Sequence, residues 1–126
     1  MRAVDTNVLL RLLVRDDERQ TDAAAAFVER GAWVSTVALT ETVWVLASTY
    51  KRTPAELADV IDVILHHDSV SLEDPGVVAA ALDQFRRHPK LGFTDCLLLA
   101  LSRKAGHSPL GTFDRALARL PGCEKI

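Results

Sequence analysis

The sequence has no long hydrophobic run, and its first residues lack the apolar stretch of a secretory signal. No apolar run approaches the roughly 20 residues that a membrane helix needs. An acid, Asp5, stands where the apolar part of a signal peptide would run. These absences argue against a membrane-spanning helix, and we expect a cytoplasmic protein.

Cysteine is also scarce, and the chain has no excess of positive charge. The two cysteines, Cys96 and Cys123, form neither a CxxC motif nor a Cys/His zinc pattern. We interpret them as small apolar residues in a reducing compartment. The formal net charge of −2 argues against a nucleic-acid binder that relies on a broad basic surface.

The composition is that of an ordinary globular domain. The chain has 126 residues, of which 48% are hydrophobic and 25% charged. This length supports one core without disulfides or structural metals. The chain contains no repeat, low-complexity segment or linker. We therefore expect a single domain over residues 1–126.

Short β-like runs alternate with longer helical ones. Strands are predicted at 1–4, 33–35, 69–72, 110–113 and 123–126, and helices near 8–13 and at 18–29, 37–50, 53–65, 75–87, 93–105 and 114–120. Thr53, Pro54 and Glu56 have the pattern of a helix start with a capping box. The helix at 93–105 is apolar nearly all round and is expected to be buried. The alternation predicts an α/β three-layer sandwich with a short, mainly parallel sheet flanked by helices.

Four acids, Asp5, Glu41, Asp95 and Asp114, are candidates for a functional site. Asp5 and Asp114 follow predicted strands, where α/β folds place their ligand sites. The alternative for each is a helix N-cap. Glu41 and Asp95 fall on apolar helix faces, where an unpaired carboxylate is costly. A buried ion pair with an arginine is the alternative for Glu41, and a favourable helix dipole partly accounts for Asp95.

Carboxylates that converge need a counter-charge. Two of them about 4 Å apart repel by roughly 4 kcal/mol at an effective dielectric near 20. Mg²⁺ or Mn²⁺ would remove this repulsion, because hard cations prefer oxygen ligands. The histidines compete poorly for this role, since His66 and His67 lie at a predicted helix end and His88 and His107 in loops.

Four blocks resemble those of PIN-domain proteins, especially the VapC-type toxins of bacterial toxin–antitoxin pairs. The blocks fall in family order and span nearly the whole chain. They are residues 4–10 (VDTNVLL), 35–41 (STVALTE), 93–100 (FTDCLLLA) and 112–115 (TFDR).

The resemblance implies a magnesium-dependent endoribonuclease that acts on RNA, is inhibited by a small antitoxin and is usually dimeric. The matched positions make Asp5, Glu41, Asp95 and Asp114 the acidic site, with Asp5, Asp95 and Asp114 as metal ligands. Thr6, Asn7 and Thr112 become its supports, with Thr6 a candidate N-cap or phosphate contact. Many members carry another acid two residues after the fourth, where this chain has Ala116. Support for a second metal ion is therefore in doubt.

The resulting hypothesis is metal-assisted hydrolysis, in which a cation held by Asp5 and Asp95 or Asp114 activates a water that Glu41 orients or deprotonates. Arg86, Arg87 and Lys90 are the candidate RNA contacts, because they lead into the Asp95 block. The alternative for such basic clusters is a solvated face. The helix at 53–65 is a candidate dimer or antitoxin surface, or only part of the core.

Other function classes fit less well. A haloacid-type phosphatase needs a second Asp two residues after the first, and Asn7 stands there. A phosphoacceptor signalling domain needs an early acidic pair, a central Asp and a later Lys, an order that this chain lacks. A non-catalytic PIN-like module that binds RNA or protein stays open. The sequence does not indicate which RNA is cut or which antitoxin binds.

Overall fold

Twelve short elements make up the chain, and a computed structural model describes all residues from 1 to 126. In chain order they are β1 (Arg2–Ala3), α1 (Thr6–Val14), α2 (Glu18–Val28), β2 (Ala32–Val34), α3 (Thr36–Ser48), α4 (Pro54–Leu65), β3 (Val70–Leu72), α5 (Pro75–Arg87), α6 (Phe93–Ala105), β4 (Leu110–Thr112), α7 (Arg115–Ala118) and β5 (Cys123–Lys125). None of the helices has both the length and the apolar character that crossing a membrane requires.

The elements group into two compact units, residues Met1–Pro75 and Gly76–Ile126. In the first unit β1, β2 and β3 form a parallel sheet in that order. In the second unit β4 pairs in parallel with β5. The prediction of an α/β fold with short parallel pairing and flanking helices is confirmed. The strands form two small sheets, however, where one sheet was expected.

The four helices of the first unit pack against one another. Helix α1 packs against α2 and α3, and α3 packs against α4. The most deeply buried large side chains are Leu39 and Leu46 of α3 and Ile61 of α4. On α4, Leu57, Ile61 and Ile64 are buried together on one face.

The second unit buries one face of each long helix. On α5, one apolar face is buried, formed by Val78, Ala81, Leu82 and Phe85. Phe85 meets Phe93 of α6 edge to face, with ring centroids 5.9 Å apart. The prediction that α6 is buried all round is wrong. Leu97 and Leu99 are buried, but Leu98 is 48% exposed because only one side of the helix is covered.

The N-terminus of α4 carries the capping box that the sequence predicts. The Thr53 hydroxyl accepts a hydrogen bond from the Glu56 backbone N–H at 3.2 Å, and the Glu56 carboxylate accepts one from the Thr53 backbone N–H at 2.9 Å. Hydrogen bonds from the Thr53 backbone and side chain lower the pKa of Glu56. The two residues thus satisfy N–H groups that a helix start leaves unpaired.

Replacing Thr53 tests how much this box stabilises the protein. We expect Thr53→Ala to lower the free energy of unfolding by about 1 kcal/mol, because the substitution removes the side-chain cap. Urea unfolding followed by circular dichroism measures the change. Thr49→Ala is the matched control, since Thr49 is an exposed threonine at the end of α3. Equal stability of the two variants would contradict the cap's role.

Candidate active site

Asp5 lies where β1 gives way to α1, and it caps that helix. Its Oδ1 accepts a hydrogen bond from the Val8 backbone N–H at 3.0 Å, and its side chain is exposed. The cap was the alternative interpretation of this acid, and the structure shows it. The prediction of Thr6 as an N-cap is wrong, because Asp5 holds that position and Thr6 is the first helical residue. The cap uses only Oδ1, so Oδ2 remains for other chemistry.

Glu41 of α3 is linked to α1 through Thr6. The Thr6 hydroxyl donates a hydrogen bond to Glu41 Oε2 at 3.4 Å. The inward orientation predicted for Glu41 is wrong, because its side chain is exposed. Val37 and Trp44 share its helix face and are 74% and 66% exposed. The opposite face of α3 supplies the core, so Glu41 needs no arginine to compensate burial.

Asp114 repeats the arrangement of Asp5 at the end of β4. Its Oδ1 accepts hydrogen bonds from the backbone N–H groups of Ala116 at 2.8 Å and Leu117 at 3.1 Å. The backbone N–H of Asp114 itself donates to the Thr112 hydroxyl at 3.0 Å. Thr112 therefore fixes the backbone on which this carboxylate sits, and Oδ2 takes no part in the cap.

Asp95 lies in the first turn of α6, behind a glycine N-cap that offers no side chain. A Cβ placed on Gly92 would lie 3.9 Å from Asp95 Oδ2, so the carboxylate leans back over the helix start. The side chain is half-buried. Burial first, and the negative charge of Asp114 second, raise the pKa of Asp95 above its usual range. Asp95 and Asp114 therefore repel each other when both are ionised.

The structure thus shows the four acids in two arrangements. Glu41 contacts Thr6 beside Asp5, and Asp95 interacts with Asp114. No group of three or more His, Cys, Asp or Glu side chains is arranged so that it could hold a metal ion. The donor chemistry of the Asp95–Asp114 pair nevertheless fits Mg²⁺ or Mn²⁺, since a cation bound by oxygen ligands would relieve the repulsion.

The predicted RNA contacts lie at the end of α5 and just after it. Arg86, Arg87 and Lys90 are all exposed, and Arg87 also pairs with Asp83 at 3.1 Å. Arg87 and Lys90 line a groove of about 400 Å³ together with His88 and Arg119. Arg119 was missed by the sequence reasoning. Its position a few residues beyond Asp114 was the only available signal.

Exposed aromatic residues accompany two of the acids and were also missed. Trp44 lies one helical turn beyond Glu41, and Phe113, directly before Asp114, is 79% exposed. Exposed aromatic rings commonly stack on nucleic-acid bases. Helical spacing from Glu41 was enough to place Trp44 on the same face, but the sequence did not show that this face is open.

The environment of Cys96 agrees with an inert, buried thiol. Burial first, and the charge of Asp95 second, raise the pKa of Cys96 to about 11. Cys123 is partly exposed, and burial raises its pKa as well. Both thiols are therefore protonated at neutral pH and are poor nucleophiles.

Neutralising Asp95 tests the repulsion directly. A carboxyl whose pKa is raised by folding contributes stability below its unfolded pKa, and this contribution is lost as the pH rises through the folded pKa. We therefore expect Asp95→Asn to raise the urea midpoint at neutral pH in chelator, and to lose this advantage in acid. Asp22→Asn, at an exposed position of α2, is the control. A neutral-pH midpoint at or below that of the unaltered protein would refute the repulsion.

The family of the chain follows from comparison with known protein families. The PIN domain family matches residues 2–122, a range that includes all four acids. A comparison with curated proteins finds no match. PIN domains are typically nucleases that use divalent metal ions. With its family pattern matched over nearly its whole length, the chain belongs to the PIN domain family.

Proposed function

We propose that this PIN domain is a magnesium-dependent endoribonuclease that hydrolyses RNA phosphodiester bonds. The observation that carries the proposal is the Asp95–Asp114 pair, in which burial and like charge raise the pKa of one carboxyl. An acid whose pKa is perturbed by burial together with a nearby charge is a candidate for a functional site. Membership in a family of nucleases gives the pair its reaction class.

Asp5, Asp95 and Asp114 are the proposed metal ligands. Asp5 and Asp114 each cap a helix through Oδ1, so the backbone N–H bonds fix the direction in which Oδ2 points. When bound, Mg²⁺ or Mn²⁺ would supply charge stabilisation at the phosphate and make water more acidic. The chain contributes oxygen ligands, and backbone hydrogen bonds hold those of Asp5 and Asp114 in place.

Glu41 is the proposed general base. It is exposed, so RNA and water can reach it, and the Thr6 hydroxyl holds one of its oxygens. Oε1 is then the oxygen that orients the attacking water and accepts its proton. In-line attack by water would break the P–O3′ bond and leave a 5′-phosphate and a 3′-hydroxyl.

The resemblance to VapC-type toxins extends the proposal to the partners and the cellular context of the protein. On that basis the chain is the toxin of a cytoplasmic toxin–antitoxin pair, forms a homodimer and is inhibited by a small antitoxin. Exposed apolar side chains offer contact area for such partners. They include Val37 and Trp44 on α3 and Val63 on α4.

A non-catalytic PIN-like module that binds RNA or protein is the second candidate. The observation that favours it is that no three acids are grouped as a metal site requires. A metal-dependent phosphatase is weaker, because Asn7 stands where that chemistry needs a second acid.

Cleavage assays separate these candidates. We expect the protein to cut some members of a mixed set of structured RNAs in Mg²⁺ and none in chelator. Asp95→Asn should lower the cleavage rate by at least about 100-fold. Mutating only a residue that hydrogen-bonds to a metal ligand already lowers metal affinity or activity by roughly 10- to 100-fold. Asp22→Asn should cut normally. Products ending in a cyclic phosphate would contradict the metal mechanism, and metal-independent RNA binding without cleavage would favour the module.

Charge reversal tests the basic groove of the second unit. We expect Arg87→Glu with Lys90→Glu to weaken RNA binding and to reduce its salt dependence, by roughly 0.7 in the log–log slope for each phosphate that the protein no longer neutralises. Magnesium affinity should change little. Arg30→Glu with Lys51→Glu reverses the same number of exposed charges elsewhere and is the control. An equal decrease in RNA affinity in both double variants would show a general charge effect.

A further inference from the structure

A groove in the first unit opens between α1 and α2, directly beside Asp5. Its volume is about 340 Å³, which falls in the range of roughly 300–1,000 Å³ for small-ligand sites. The lining residues fall into a polar set and an apolar set. The polar set is Asp5, Asn7, Arg11 and Gln20, and the apolar set is Val8, Ala23, Ala24 and Phe27.

The apolar side of the groove includes an aromatic ring that is held in place. The guanidinium carbon of Arg2 lies 3.7 Å from the centroid of the Phe27 ring, and Arg2 also donates a hydrogen bond to the Phe27 carbonyl at 3.0 Å. Arg2 is not among the residues that line the groove. Phe27 and the small side chains of Ala23 and Ala24 therefore leave space against which a flat ring can pack.

The polar side offers two amides without partners. The side chains of Asn7 and Gln20 form no hydrogen bond within the chain, and only the Gln20 backbone N–H is used, in the cap of α2. Each side-chain amide presents two donors and an acceptor. This combination matches the edge of a nucleobase, which carries donors and acceptors side by side.

The charges of the groove favour a neutral ligand over a phosphate. Arg11 is the only cationic residue in the lining, and it pairs with Asp16 at 2.7 Å. The other charged residue, Asp5, is negative. A phosphate would therefore meet a neutralised cation and an acid, whereas a base would meet amides and apolar walls.

We propose that this groove binds the base of one unpaired nucleotide, next to the phosphate that is cut. That the bound base lies next to the cut phosphate rests on the proposed function, whereas binding of a base in the groove does not. A base inside a duplex keeps its edge and faces occupied, so the groove selects single-stranded RNA or loops. The substrate class is then RNA with an unpaired base beside the cleavage site.

Filling the groove from an exposed helix position tests the proposal. Ala23 and Ala26 are both exposed on α2, but only Ala23 lines the groove. In chelator, we expect Ala23→Phe to weaken binding of a short single-stranded RNA by about 10-fold, the order of one base stack. Ala26→Phe should bind normally. Gln20→Leu, which keeps size and removes the amide, should weaken binding even where Ala23→Phe does not fold.

Nuclear magnetic resonance gives a second readout. The side-chain amide signals of Gln20 and Asn7 should shift when the single-stranded RNA is added, and shift little with a duplex of the same sequence. Unchanged amide signals, equal effects of Ala23→Phe and Ala26→Phe, or equal binding of duplex would overturn the proposal. Binding and amide shifts without cleavage in Mg²⁺ would instead overturn the nuclease function and leave base binding intact. If Ala23→Phe does not slow cleavage, the nuclease function would stand and base binding in the groove would be overturned.

Discussion

Helix caps made by carboxylates are the interaction on which the candidate site depends. Asp5 and Asp114 each stand between a strand and a helix, and each uses Oδ1 to satisfy backbone N–H groups of the helix that follows. The cap therefore fixes the chain direction and the carboxylate orientation in one step. The same hydrogen bonds thus begin the helix and orient the carboxylate, so the cap is compatible with a catalytic role.

Asp95 differs from these two acids because its carboxylate caps no helix. Its helix begins at Gly92 without a side-chain cap, and both burial and Asp114 disfavour its ionised form. A folded protein tolerates such a cost where function requires it. In the proposed function, a bound cation would offset this repulsion. The Thr112 hydroxyl, which accepts a hydrogen bond from the Asp114 backbone N–H, holds the backbone of the neighbouring acid in place.

Local signals predicted much of the fold, and longer-range packing set the rest. The bounds of α5 and α6 and the capping box at Thr53 follow from residues close together in sequence. Periodicity placed Glu41 on one face with Val37, but it did not reveal that this face stays open. Leu98 was misjudged for the same reason. The groove beside Asp5 depends on how α1 packs against α2, which no local pattern encodes. The division of the strands into two sheets is a matter of pairing, and propensity does not determine it.

The central proposal is that Asp95 and Asp114 hold a divalent cation. Manganese tests it most directly, because its unpaired electrons broaden the magnetic resonance signals of nearby atoms. We expect substoichiometric Mn²⁺ to broaden the signals of Asp95 and Asp114, and Asp95→Asn to abolish the effect at Asp114. No broadening at Asp95 and Asp114, or broadening of Asp114 that Asp95→Asn leaves unchanged, would contradict it.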